Sequence, residues 1–249
     1  DGIRDSVASR GLGDVYKRQG NGKTDLRNKL ILELRTTDRI LEFVNGKELE
    51  RYSQAGVATP DHVIRTKNHP LILNLSTTTD PANYLEHVKK SVKVFQEKYD
   101  SYFYRQVKNK GLVKTKLDSI PWIIFVPGFG LFGLGLTRND SVMAADIAES
   151  FINTVRGAES IGNYKSLNES DVFDVEYWSL EQAKIKRKKK LLEGNVVVIT
   201  GSTGTIGFET YKMFKSYGAE VILLDNNLER LVDCLLYTSP SPRDATLSR

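Results

Sequence analysis

Cysteine is nearly absent: the 249 residues contain one, Cys234. That scarcity excludes a disulfide framework and any centre or nucleophile built on several thiols. Long apolar runs are missing as well, and none approaches the ~18–20 residues a bilayer-spanning helix needs. The expectation is therefore a cytoplasmic protein with no membrane partner. Histidine is scarce too, with only His62, His69 and His87.

The two ends are related to each other in an unusual way. Asp14–Gln19 (DVYKRQ) back-translates to a stretch whose reverse complement, read one base out of frame, encodes Cys234–Ser239 (CLLYTS). Extending through Ser9–Gly13 gives Pro-Ser-Pro-Arg, as found at Pro240–Arg243. Unrelated protein termini have no reason to be complementary. Residues 1–19 and 234–249 therefore read as translated sequencing adapters, and fold reasoning sets them aside as it would any non-native tail.

About 214 residues remain, enough for one large or two small domains with a real core. The tails carry six basic and four acidic residues, so the formal net charge of +5 falls to +3 without them. Six of the remaining basic residues, Lys184, Lys186, Arg187, Lys188, Lys189 and Lys190, form one run. A basic run can bind nucleic acid. This one lies between two folded patterns and has no interleaved aromatics, so a linker at 184–194 is expected and no nucleic-acid partner.

Gly20-Asn-Gly-Lys-Thr24 resembles the end of a phosphate loop, but no glycine stands five residues before Gly22 and no strand precedes it. The plainer expectation is a helix over Asp25–Leu34 with Leu26, Leu30, Ile31 and Leu34 on one face. Ile40–Val44 predicts a strand closed by Asn45-Gly46, and Lys47–Gln54 a short helix. His62, Arg65 and Lys67, with Asp61 beside them, form either an anion-binding cluster or ordinary structural contacts. Asp80-Pro81 marks a helix start, with Asp as the cap and Pro in the first turn. The stripe Tyr84, Leu85, Val88, Val92, Phe95, Tyr99 and Phe103 then makes that helix long and amphipathic, leaving His87 off the stripe and exposed. Trp122–Val126 predicts a strand. It runs into the glycine-rich Pro127–Gly135, either a phosphate cradle or a tight turn with close backbone packing, and a helix over Ser141–Arg156 follows. Asp174, Glu176, Tyr177 and Trp178 read as a site or, preferably, as a domain junction.

The strongest signal is Asn195-Val-Val-Val-Ile-Thr-Gly-Ser-Thr-Gly-Thr-Ile-Gly207 followed by Val221-Ile-Leu-Leu-Asp225. A β-branched strand ends in glycines at 201, 204 and 207, a helix follows to Tyr217, and a second strand ends on an acid 18 residues beyond Gly207. This is the layout of a dinucleotide-binding βαβ unit. Gly201 permits the turn, Gly204 lets backbone approach a pyrophosphate, and Gly207 lets helix pack on sheet. The predicted contacts are Thr200, Gly201, Ser202, Thr203, Gly204, Thr205, Ile206 and Gly207, with Asp225 accepting from ribose hydroxyls. An acid at 225 with no arginine after it favours NAD over NADP.

Thr200-Gly201-Ser-Thr-Gly204-Thr-Ile206-Gly207 resembles the short-chain dehydrogenase/reductase family. Thr205 stands where that family's middle glycine usually lies, and the alternative spacing of epimerase-like members fits Gly204 instead. Upstream, Tyr52-Ser-Gln-Ala-Gly, Thr59-Pro-Asp-His62, Pro127-Gly-Phe-Gly-Leu-Phe-Gly, Ala144-Ala-Asp-Ile-Ala-Glu and Asp174–Glu181 resemble bifunctional proteins. These fuse a class II, rhamnulose-1-phosphate aldolase-like domain to a short-chain dehydrogenase. The resemblance covers nearly all of residues 20–233.

It implies an α/β architecture: a central α/β domain at 20–183, then the first βαβ of a Rossmann (short-chain dehydrogenase) domain at 195–233. It also implies an NAD-dependent oxidoreductase parent with aldolase activity, a homo-oligomer acting on a small sugar or alcohol. The parent's divalent metal would lie upstream, in the aldolase domain, and its Ser–Tyr–Lys site downstream. None of the three histidines forms the close pair a metal site wants, so this stretch is expected to contain no catalytic residue and to turn nothing over. The alternative is an isomerase-type or non-catalytic dinucleotide binder.

Overall fold

The computed structural model describes residues 29–75, 81–180, 182 and 190–232. The readings placed on the two tails, on Gly20–Thr24, on Asp80 and on most of the basic run lie outside the described residues. The described chain is mixed α/β and falls into two compact units, one before the basic run and one after it, apart from Leu136–Arg138.

The first unit is built on a four-stranded sheet of β1 (Ile31–Arg35), β2 (Leu71–Ile72), β3 (Ile123–Val126) and β4 (Gly130–Gly135), in the order β1-β4-β3-β2. β4 is antiparallel to both of its neighbours, and β2 runs parallel to β3. Its helices are α1 (Asp38–Val44), α2 (Leu49–Ser53), α3 (Pro60–Thr66), α4 (Pro81–Lys110), α5 (Arg138–Glu159) and α6 (Glu169–Glu176).

Two sequence expectations reverse at the start of the chain. The helix predicted over Asp25–Leu34 lies partly outside the described residues, and from Ile31 on it gives way to strand β1, because Ile-Leu-Glu-Leu-Arg alternates and finds an antiparallel partner in Arg35↔Leu131 through Ile31↔Gly135. Its inner face is made by Glu33 and Arg35. The Arg35 guanidinium lies 2.6 Å from Asp146 and 3.2 Å from Glu149 on α5, while Leu32 and Leu34 are exposed. The predicted strand at Ile40–Val44 is helix α1. Thr37 caps it by accepting from the Ile40 amide, and Ile40, Phe43 and Val44 are buried at the i, i+3, i+4 spacing of one helical face.

The glycine-rich stretch is strand rather than loop. Only Pro127–Phe129 turn, and Gly130–Gly135 pair on both edges. The glycines serve packing. A Cβ on Gly133 would stand 2.3 Å from the Ser141 carbonyl oxygen and 2.5 Å from the Ala145 nitrogen, so α5 lies directly on the strand backbone. The phosphate-cradle reading fails for that reason, and the close-packing reading stands. Ala145, Ala148, Phe151, Ile152 and Val155 of α5 then meet Phe125, Leu131 and the apolar face of α1 in one core. A second cluster joins Tyr99, Tyr102 and Phe103 of α4 to Phe173 and Tyr177.

The second unit contains β5 (Val196–Thr200), α7 (Thr205–Ser216) and β6 (Glu220–Leu224). The two strands pair in parallel, Val196↔Glu220 through Thr200↔Leu224, with α7 as the crossover. Among the described residues no helix is long and apolar enough to cross a membrane.

Candidate functional site

In the second unit the glycine turn lies where β5 becomes α7. Gly201 has φ +63°, a conformation in which a side chain is strained. A Cβ on Gly207 would lie 2.3 Å from the Gly201 carbonyl oxygen, so that residue is fixed by helix packing. Gly204 differs from both. Its φ of −73° suits any residue, and a Cβ there would meet only the Gly201 carbonyl oxygen, at 3.4 Å.

Gly204 is the N-cap of α7 and supplies no side-chain acceptor, while Thr205 and Ile206 are exposed in the first turn. The helix therefore presents backbone donors with the positive end of its dipole behind them. Ser202 is fully buried, and its amide and hydroxyl both donate to the Leu224 carbonyl. Asp225 closes the loop from the other strand. Its Oδ2 accepts from the Thr203 amide at 2.9 Å and the Thr203 hydroxyl at 2.8 Å, and its Oδ1 from the Asn227 amide at 3.1 Å. The Thr203 amide foremost, with the other donors, holds the Asp225 carboxyl below the usual aspartate range. It stays an anion with acceptor capacity left over. The predicted residues Thr200–Gly207 and Asp225 are thus gathered around one loop, with the Ser202 side chain turned inward.

The other candidate residues behave differently. His62, Arg65 and Lys67 do not converge: Arg65 is exposed with a guanidinium nitrogen 3.0 Å from Met143 Sδ, and Lys67 is buried. Lys67 closes α3 with φ 70° and ψ 167°, a region nearly reserved for glycine. Its ammonium lies 3.9 Å from Glu176 Oε1 and 4.3 Å from the centre of the Tyr99 ring.

Glu176 is fully buried and accepts from the Tyr99 hydroxyl at 2.7 Å and the Tyr102 hydroxyl at 3.0 Å; Tyr99 and Tyr177 share a further bond of 2.8 Å. Burial above all pushes the Glu176 carboxyl upward, and the Tyr99 and Tyr102 phenols far upward. Phenols so reluctant to ionise act as fixed donors rather than acids. Glu176 and Tyr177 thus pack within the first unit, with Asp174 at its surface 2.9 Å from Lys110 and Trp178 half exposed. Sequence reading named Glu176 without its partners, because Tyr99 and Tyr102 lie more than 70 residues upstream. The only available signal was an acid flanked by apolar residues in Val172–Tyr177.

His87, expected to be exposed, is half-buried and lines a cavity with His69. Among the described residues no group of three or more His, Cys, Asp or Glu is placed to hold a metal.

Comparison with known proteins bears on both units. A family model described as aldolase class II, second domain, matches residues 12–185. The chain is 32% identical over 211 residues to the uncharacterized oxidoreductase YuxG of Bacillus subtilis (strain 168), across 84% of this chain and 30% of that relative. The chain thus spans about 30% of the length of the curated relative it matches. No solved structure matches it significantly.

Proposed function

The chain belongs to the family of class II aldolase second domains, and we propose that it is an internal stretch of a longer aldolase–oxidoreductase, carrying that second domain and the start of an NAD-binding domain. In this reading the parent fuses a class II sugar-phosphate aldolase to an NAD-dependent short-chain dehydrogenase, and residues 1–19 and 234–249 derive from adapters. Resequencing the source DNA tests the last point: the native codons would replace both tails.

The observation that carries the dinucleotide reading is Gly204. Gly201 and Gly207 are glycine because backbone conformation and packing require it, while at Gly204 neither does and only glycine's modest N-cap preference applies. An N-cap serine or aspartate would stabilise α7 better, so a bare backbone there serves something outside the chain. A pyrophosphate fits, since it needs close backbone approach and free amide donors at a helix start. Asp225 supports the same reading. Held as an anion at the end of β6, it accepts from the two ribose hydroxyls and repels a 2′-phosphate, which sets NAD above NADP. When bound, the nicotinamide supplies hydride transfer. The residues present here bind and orient the adenosine half, while the reacting groups and the aldolase part's divalent metal belong to other stretches of the parent.

Equilibrium titration of the full-length protein with NAD⁺ and NADP⁺ tests this. Saturable NAD⁺ binding, with weaker NADP⁺ binding that recovers in Asp225→Ser, is expected; no saturable binding of either sinks the reading. The dehydrogenase assignment further requires a Tyr-x-x-x-Lys about 150 residues beyond Gly207. Thr205 favours one other reading, an epimerase-type or non-catalytic dinucleotide binder. NAD⁺ binding without the Tyr-x-x-x-Lys or NADH turnover would select it.

A further inference from the structure

Two neighbouring residues of the glycine turn, Ser202 and Thr203, grip two neighbouring residues at the end of β6, Leu224 and Asp225. Ser202 donates twice to the Leu224 carbonyl, from its amide and from its hydroxyl, each at 3.3 Å. Thr203 also donates twice, from its amide at 2.9 Å and its hydroxyl at 2.8 Å, but its acceptor is a side-chain oxygen, Asp225 Oδ2. The first pair of bonds ends on backbone and holds the turn against the strand. The second pair sets the direction of a carboxylate.

That difference decides what each residue can do. The Leu224 carbonyl is already placed by the strand ladder, which runs from Val196↔Glu220 as far as Thr200↔Leu224. Asp225 lies just past the last pair, where a side chain is otherwise free to turn among its rotamers. Its carboxylate is held by hydrogen bonds, with no cation paired to it among the described residues. One of these bonds comes from the Asn227 amide at 3.1 Å, a chain neighbour that moves with it. Among the described residues only Thr203 ties the carboxylate to the glycine turn. The Thr203 amide is present whatever residue stands at 203, whereas the hydroxyl is the contribution of this side chain.

We propose that Thr203 is a positioning residue for the ribose-binding acid. Its hydroxyl fixes the Asp225 carboxylate in one orientation and thereby sets the preference for a 2′-hydroxyl over a 2′-phosphate. The inference rests on the dinucleotide reading and adds to it a residue that acts through Asp225. Without the hydroxyl the carboxylate keeps its charge but turns more freely. A ribose must then order it on binding, and a 2′-phosphate can displace it.

The test is equilibrium titration of the full-length protein with NAD⁺ and NADP⁺ for Thr203→Val, Thr203→Ser, Asp225→Ala and Thr203→Val with Asp225→Ala. Valine keeps the branched shape and the backbone amide and removes one hydrogen bond, while serine keeps that bond. Thr203→Val should weaken NAD⁺ binding roughly three- to tenfold and leave NADP⁺ binding unchanged or tighter. Thr203→Ser should retain the parent's selectivity. In the Asp225→Ala background Thr203→Val should have no further effect, because the carboxylate it positions is gone.

Parental selectivity in Thr203→Val, equal weakening of both cofactors, lost selectivity in Thr203→Ser, or an undiminished effect in the Asp225→Ala background would each overturn the proposal while NAD⁺ binding itself stands. Absence of saturable NAD⁺ binding by the unsubstituted protein would instead overturn the dinucleotide reading, and this inference with it.

Discussion

Lys67 Nζ lies 3.9 Å from Glu176 Oε1, and the two side chains are 2% and 0% exposed. The contact joins the strained end of α3 to the last turn of α6. The geometry at Lys67, nearly forbidden to a side chain, costs about 1–3 kcal/mol. It persists because both ends of the residue are held: the amide bonds the Val63 carbonyl, and the ammonium is enclosed by Glu176 and the Tyr99 ring. Glu176→Gln should therefore destabilise the first unit, by up to about 3–5 kcal/mol for a buried pair that loses one partner. The loss is smaller to the extent that Asp118, also 3.9 Å from the Lys67 ammonium but partly exposed, keeps the cation paired. Lys67→Met with Glu176→Leu should cost much less than the two single changes together. Urea-denaturation midpoints decide it, and strict additivity would show that the pair is not coupled.

Stability should also respond to pH through His69. Burial lowers its pKa beneath the ordinary 6.5, so the unfolded chain binds that proton more readily than the folded one. The stabilising contribution is complete above 6.5 and fades as pH falls toward the lowered folded value. Glu176 works in the opposite sense. Its raised pKa means that its protonated form favours the fold below the ordinary 4.5, and this contribution is lost as pH rises through the folded value. His69→Gln should flatten the decline in thermal midpoint just below 6.5; an unchanged decline would assign it to other groups.

How much of this was legible in the sequence varied with the range of the interactions. The β5–α7–β6 unit was readable because strand, glycines, helix and acid occupy one continuous stretch, and their contacts are local. Helix α4 was readable because its stripe, Tyr84 to Phe103, repeats over more than five turns. Short segments misled. Ile40–Val44 is rich in residues that favour strands, and only the Thr37 cap and three core contacts make it helical. The Gly130–Gly135 strand has almost no side chains to show a period of two, so its identity rests on partners at Ile31–Arg35 and Ile123–Val126. The Glu176 cluster was hidden for the same reason: no local pattern reports a hydrogen bond 77 residues long.

Glycine substitutions separate packing from flexibility in the first unit. Gly133→Ala places a methyl 2.3 Å from the Ser141 carbonyl oxygen, so β4 or α5 must move. A loss above the usual 1–3 kcal/mol, roughly, of overpacking is expected. Gly157→Ala lies in the same helix, where a Cβ meets nothing within 4 Å. It should stabilise the protein by about 0.4–1 kcal/mol, chiefly by restricting the unfolded chain. Thermal melts of the two variants should therefore shift in opposite directions, and a Gly133→Ala melt at the parent temperature would remove the close-packing account of this strand.

The same logic distinguishes the three glycines of the second unit. Gly207→Ala would drive a methyl to 2.3 Å from the Gly201 carbonyl oxygen and lever α7 off the sheet, so folding and ligand binding should fail together. Gly201→Ala meets no neighbour but keeps φ +63°, at a cost of about 1–2 kcal/mol with the loop otherwise intact. Gly204→Ala should cost at most about 1 kcal/mol, the loss of a glycine N-cap, since its backbone is unstrained and its nearest contact is ordinary. Its methyl would nonetheless project where a pyrophosphate must approach the first turn of α7. Loss of NAD⁺ affinity in the full-length protein with the fold retained is the expected signature, because a purely structural glycine would lose both. Full NAD⁺ affinity in Gly204→Ala would mean that the bare backbone there serves no phosphate, and the cofactor would have to be held elsewhere.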